Sequence, residues 1–170
     1  NYCKKKAKEI GLDNQVSFEL ADYREINGEY DKIYSVGMFE HVGRKFYNKF
    51  FKSINKLLKT DGSFLLHTIG VVDKPSPPNK FINRYIFPGG ICPSLSQITK
   101  SIEKTGLIVS DTETLIRHYD KTLLSWLERF TAKKDLVKDM FDEKFVKMWS
   151  FYLASCAAAF RYRDLVVFQL

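Results

Sequence analysis

The chain has 170 residues, of which 45% are hydrophobic and 28% charged, with a net charge of +7. That is long enough for a single domain with a real core and too apolar for a disordered chain, and no stretch approaches the roughly 18 consecutive apolar residues of a transmembrane helix. Three scattered cysteines, Cys3, Cys92 and Cys156, exclude a disulfide framework or a cysteine-rich metal site and suit a reducing, cytoplasmic setting.

A basic helix is predicted from Tyr2 to Ile10, stopped by Gly11. Gln15 to Leu20, with VSFEL at its centre, reads as a strand, and Lys32 to Gly37 as the next. Phe46 to Leu58 is a helix, because Phe46, Phe50, Ile54, Leu57 and Leu58 share one face with lysines opposite. Thr60-Asp61-Gly62 turns into a strand at Phe64 to Thr68. Val72 to Pro93 holds all five prolines and is expected to be irregular. A helix from about Ser94 to Lys104, a strand from Leu107 to Thr112, and helices at Lys121 to Phe130 and Glu143 to Arg161 follow. Leu165 to Leu170 is the final strand. Strands alternating with helices predict an α/β fold with a mostly parallel sheet.

Ligands in such a fold bind beyond the carboxyl ends of the strands. The first candidate site is therefore SVGMFEHVG, where a strand and a glycine are followed directly by Glu40 and His41. LLHTIG repeats the arrangement with His67. Each has a plainer role available: Glu40 as a carboxylate favoured at a helix N-terminus, His41 as a turn cap, His67 as a buried, satisfied histidine. Asp22 after a strand suits either a cofactor contact or the capping of the turn at Arg24. Cys156 lies on an apolar helical stripe, where a small buried hydrophobe is the default. The positive charge gathers at Lys4 to Lys8, at Lys45, Lys49, Lys52, Lys56 and Lys59, and around Lys133, Lys134 and Lys138. An anionic membrane surface or a solvated face explains it; no nucleic-acid motif is present.

Five blocks, SVGMFEHVG, LLHTIG, NRYIFPGGICPS, HYDKTLLSWLERF and FYLASCAAAFRYRDL, resemble the cyclopropane-fatty-acid synthase family from about Tyr2 to Leu170. The resemblance implies a Rossmann-like class I methyltransferase fold, S-adenosylmethionine as cofactor, and the cis double bonds of phospholipid acyl chains as substrate. It also implies a bound bicarbonate as the base that takes a proton from the transferred methyl. Its holders would be Glu40, His67, the backbone of Ile69, and Tyr119, with Cys156 a further candidate and Asp22 and Tyr23 at the cofactor. Tyr85, Phe87 and Trp126 fall in blocks near the family's acyl pocket. The family's site cysteine lies upstream, and neither Cys3 nor Cys92 matches it. A related methyltransferase acting on amines, or a basic membrane-surface module without catalysis, would fit parts of the same pattern.

The family's glycine-rich cofactor turn does not occur in the chain. Residues 1–170 are therefore expected to be one partial methyltransferase domain, a C-terminal fragment lacking the first two strands. In the sheet order 3-2-1-4-5-7-6 that the resemblance implies, those two would lie between VSFEL and Lys32–Gly37. VSFEL should then pair directly with Lys32–Gly37, or a homodimer should close the gap, or residues 1–26 should be poorly packed. Peripheral association with an anionic phospholipid membrane is the expected localisation.

Overall fold

The computed structural model describes residues 1–74, 77 and 79–170. Its centre is a four-stranded sheet in the order β1-β2-β4-β3, formed by Tyr30–Val36 (β1), Leu58–Val71 (β2), Glu113–Leu115 (β3) and Leu165–Gln169 (β4). β1 runs parallel to β2, whereas β4 is antiparallel to both β2 and β3. Three of the four strands therefore run the same way, as expected of a mostly parallel sheet, and β1-β2-β4-β3 reproduces the 4-5-7-6 end of the expected order; only β4 is reversed. The last strand enters in reverse between β2 and β3, which antiparallel pairing permits without another crossover helix.

Helices cover both faces of the sheet. Tyr47–Leu57 (α2) and Leu95–Ile102 (α4) close one side over Phe39, Phe50, Phe51, Leu66, Val166 and Phe168. His118–Thr131 (α5) and Glu143–Arg161 (α7) close the other over Leu123, Leu153, Phe160 and Val167. β4 shows the period of two directly, since Val166 and Phe168 face one layer and Val167 the other. Among the described residues, three further helices complete the fold: Tyr2–Glu9 (α1), Lys80–Tyr85 (α3) and Lys134–Met140 (α6). No helix among them is long and apolar enough to cross a membrane.

Several expectations are corrected. VSFEL is not a strand; its backbone joins no ladder, and Leu20, Phe18 and Val16 are exposed. An extended segment without a neighbour leaves its N–H and C=O groups to water. VSFEL does not pair with Lys32–Gly37, and within the chain residues 1–26 are poorly packed, with Ala7 the sole buried residue there. Leu107 to Thr112 is likewise irregular, and the strand there is β3, whose register lies opposite Val167–Gln169. Leu107 packs on the core while Ile108 is exposed, so this segment's apolar residues serve packing rather than a ladder. Thr60-Asp61-Gly62 does not break the strand; β2 runs through it, and a register shift against β1 absorbs the extra residues. Within the segment expected to be irregular, the Asn79 side chain caps α3 by accepting from the N–H groups of Phe81 and Ile82. Pro75, Ser76 and Pro78 of that segment lie outside the described residues.

Candidate active site

Gly37 leaves β1 with φ +63, and nothing lies near the position of an added Cβ, so the chain turns sharply into open space at the strand end. Its N–H donates to the His67 carbonyl at 3.1 Å, which ties the turn to the neighbouring strand. The short 3-10 turn Phe39–His41 follows. Phe39 is fully buried against Tyr47, Phe50 and Phe51, with ring centroids 4.3 to 5.3 Å apart. That anchor forces the adjacent Glu40 inward, where it is 9% exposed.

Glu40 is held by two backbone contacts. Its Oε1 accepts the Ile69 N–H at 2.7 Å, and its carbonyl accepts the Ile91 N–H at 2.8 Å. Its Oε2 is buried with no hydrogen-bond partner among the described residues. A buried carboxylate oxygen without a donor is costly, and functional sites are where such atoms persist. His67 lies two residues before Ile69 on the same face of β2. The Gln169 side-chain nitrogen meets His67 Nδ1 at 2.9 Å. An amide nitrogen only donates, so this contact requires Nδ1 as acceptor and leaves the ring N–H at Nε2.

Tyr119 is helical, in the first turn of α5, rather than in a loop. Its ring packs on Phe160 at 5.1 Å and Trp126 at 6.0 Å. Burial first, then the charge of Glu40 and the thiol of Cys156, push the Tyr119 hydroxyl above its ordinary pKa. Burial also pushes the Cys156 thiol up to about 11. Cys92 is pushed up to about 12, by burial and then by Glu40 and Cys156. Tyr119, Cys92 and Cys156 therefore share one electrostatic neighbourhood with Glu40 and stay protonated at neutral pH. Neither thiol has the electropositive surroundings of a nucleophilic cysteine.

The structure thus brings Glu40 and Ile69 into contact, with Tyr119 and Cys156 near them and His67 on the adjoining strand face. It does not bring Asp22 and Tyr23 there. Asp22 caps the turn Tyr23–Glu25 and is paired with Arg24, which holds its carboxyl down at about 2. Tyr23 packs edge-on against Phe50 at 5.5 Å.

Sequence reasoning set Cys92 aside as not matching the family's upstream cysteine and passed over Gln169. Cys92 arrives through the ICPS segment, pinned by Ile91 to Glu40 and by the Pro93 carbonyl, which accepts the Val71 N–H at 2.9 Å. Gln169 arrives because β4 sets it opposite His67. The ICPS block carried a signal for the first; a glutamine near the end of a strand carries none.

A series of ring contacts begins at His41, the residue after Glu40. His41 meets Phe87 at 5.9 Å, Phe87 meets Tyr152 at 6.1 Å, and Tyr152 meets Trp149 at 5.0 Å. Trp149 then meets Phe145 at 5.8 Å, and Phe145 stacks on Phe141 at 4.3 Å, where Phe141 is exposed. The series is exposed at His41 and Phe87 as well as at Phe141, so it forms a continuous aromatic surface beside the turn that carries Glu40.

The family model described as mycolic acid cyclopropane synthetase matches residues 1–170. The chain is 44% identical over 160 residues to the cyclopropane-fatty-acyl-phospholipid synthase of Escherichia coli K12, covering 94% of this chain and 41% of that protein. The structure of the cyclopropane synthase MmaA2 from Mycobacterium tuberculosis superposes with a TM-score of 0.83 at 29% identity, covering 98% of this chain and 65% of that one. The mycolic acid cyclopropane synthase CmaA1, crystallised with SAH and CTAB, gives a TM-score of 0.82 at 30% identity with the same coverage. The chain therefore spans less than half the length of the E. coli protein it matches.

Proposed function

Because the chain belongs to the mycolic acid cyclopropane synthetase family, we propose that it supplies the proton-handling part of an S-adenosylmethionine-dependent methyltransferase that cyclopropanates phospholipid acyl chains. The observation that carries this reading is Glu40, one carboxylate oxygen fixed by the Ile69 N–H and the other buried and unpartnered. That free oxygen suits a small anion bearing a proton of its own, as bicarbonate does. When bound, S-adenosylmethionine supplies an electrophilic methyl group and bicarbonate a base.

The chain's own groups have complementary tasks. Glu40 Oε2 accepts the anion's hydrogen, while the Tyr119 hydroxyl, kept neutral by its raised pKa, donates from another side. The His67 Nε2–H is a further donor, set by Gln169. Ile69 acts by holding Glu40, since its N–H is already committed to that carboxylate. Donors fixed before the reaction cost no reorganisation in a site closed to water. On the cofactor side, Gly37 leaves open space beyond β1, and Tyr23 lies on the same side as α2. Asp22 can contact the cofactor only through the oxygen faces that Arg24 leaves free. The aromatic series from Phe141 to Phe87 suits an apolar chain, and ring faces stabilise nearby cationic character by about 0.5–2 kcal/mol.

The test is methyl transfer by the natural protein from radiolabelled S-adenosylmethionine to unsaturated phospholipid. Label in acyl chains that have gained one CH2 and lost their double bond supports the reading. Label that appears in a small amine and never in lipid overturns it.

A further inference from the structure

The structure separates three groups of lysines that look alike in sequence. In α1, Lys5 and Lys6 lie 3.9 and 3.5 Å from the Glu9 carboxylate. On α6 and α7, Lys138 and Lys147 reach Glu143 at 3.6 and 2.8 Å, and Asp135 and Asp139 interrupt the α6 lysines. Lys59 is neutralised by Asp31 at 2.8 Å. Lys4, Lys8, Lys133 and Lys134 form no ion pair among the described residues either, but each lies on or beside a helix that carries an acid, Glu9 in α1 or Asp135 in α6, whereas α2 carries none. The remaining group is therefore Lys45, Lys49, Lys52 and Lys56. All four are exposed, and none forms an ion pair among the described residues.

Their spacing sets them in register. On α2, at about 100° per residue, steps of three and four residues keep Lys49, Lys52 and Lys56 within roughly 60° of one another over roughly 10 Å, and Lys45 precedes them in the 3-10 turn Arg44–Phe46. The opposite face of α2 is buried through Tyr47, Phe50, Phe51, Ile54 and Leu57, so its lysines point directly away from the core. No Asp or Glu occurs between Glu40 and Asp61. Like charges at this spacing repel one another, and nothing in the described structure relieves them. Phe46, 54% exposed, stands beside Lys45 at the end of the stripe nearer Glu40.

We propose that Lys45, Lys49, Lys52 and Lys56, with Phe46 at their edge, form the surface by which this protein docks on an anionic phospholipid bilayer. The inference rests on the lipid substrate proposed above, and it says which face meets the membrane. A straight, unpaired cationic stripe on a convex helix face complements a plane of lipid phosphates. Phe46 can enter the interfacial layer next to the turn that carries Glu40. A nucleic-acid partner is disfavoured because the sequence carries no nucleic-acid-binding motif.

The test is sedimentation of the natural protein with phosphatidylglycerol vesicles and with phosphatidylcholine vesicles, beside the variant K45Q/K49Q/K52Q/K56Q. The natural protein should bind the anionic vesicles, release them as salt rises, and ignore the neutral ones. The variant should bind the anionic vesicles about 10²- to 10³-fold more weakly, which corresponds to roughly 1 kcal/mol per lysine. Its methyl transfer to detergent-dispersed phospholipid should stay unchanged, since all four side chains lie on the solvent face. Equal binding of both proteins to anionic vesicles would overturn the proposal, as would tighter binding of the natural protein to double-stranded DNA or RNA. Absent methyl transfer to dispersed lipid by the natural protein would instead overturn the functional reading, and the vesicle comparison would still decide the docking surface by itself.

Discussion

The Ile69 N–H donates to Glu40 Oε1 at 2.7 Å, across 29 residues of sequence, and leaves Oε2 as the one carboxylate oxygen free to meet a ligand. The bond fixes the orientation of the carboxyl group from the backbone of the central strand. Glu40→Gln keeps an acceptor at Oε1 and puts an amide donor where Oε2 stood. In the natural protein it should lower turnover by about 10²–10³ with little change in melting temperature. Steady-state kinetics beside a thermal melt will check this, and near-normal turnover would remove Glu40 from the site.

Gln169 sets the His67 tautomer. Gln169→Leu keeps the side chain's bulk and removes the donor to Nδ1. The imidazole proton is then free to move from Nε2 to Nδ1, and turnover should fall without a matching loss of stability. Nitrogen-15 spectra of the labelled imidazole read the tautomer directly. An unchanged spectrum would return Gln169 to a purely structural role.

Gly70 is required by close packing rather than by a special backbone angle. A Cβ there would stand 2.3 Å from Phe168 Cε2 and 2.7 Å from the Pro93 carbonyl oxygen. Gly70→Ala should destabilise the chain by about 1–3 kcal/mol, the usual cost of overpacking a core. It should also disturb the ICPS segment that reaches Glu40. Urea unfolding measures the first effect, and turnover of the folded fraction the second.

The buried thiols predict a loss of stability in base. Cys92 and Cys156 hold their protons up to about 12 and about 11 in the folded chain, against an ordinary value of 9.0. Groups raised on folding contribute stability that is whole below the unfolded value and lost as pH climbs through the folded one. Stability should therefore decline from about pH 9 to 12, by up to roughly 1.4 kcal/mol per pH unit for each thiol. Tyr47 and Tyr152, both raised by burial from 10.0 to about 12, act in the same sense at the upper end. In Cys92→Ala the decline above pH 9 should be shallower. Denaturant titrations across that range, compared by slope rather than by absolute stability, will test it.

Much of the candidate site could be read from the chain because strand ends and helix stripes are local. The alternation in β1 and β2, the lysine face opposite the apolar face of α2, and the unbroken apolar run of β4 follow from periodicity. Glu40 stood out because it came directly after a strand end, and His67 because the strand was expected to end at Thr68, whereas β2 continues to Val71. Family blocks added Ile69, Tyr119 and Cys156, which periodicity alone would have left in the core or a loop. The sequence by itself thus determined the layered α/β class and singled out most residues of the candidate site.

Tertiary structure decided what depends on partners distant along the chain. VSFEL has the composition of a strand, but a strand exists only when another completes its hydrogen bonds, and here none does. Leu107 to Thr112 lost its place to Glu113–Leu115 because the register of β4, fixed by burial on both faces, chose the later residues. Only folding could bring Cys92 beside Glu40, or set Gln169 on His67 across 102 residues of sequence. Charge follows the same division: the local pairs of Lys5, Lys6 and Lys147 follow from helical spacing, whereas only folding brings Lys59 to Asp31. Strand pairing and register are relations between residues far apart in sequence, whereas periodicity is a property of neighbours.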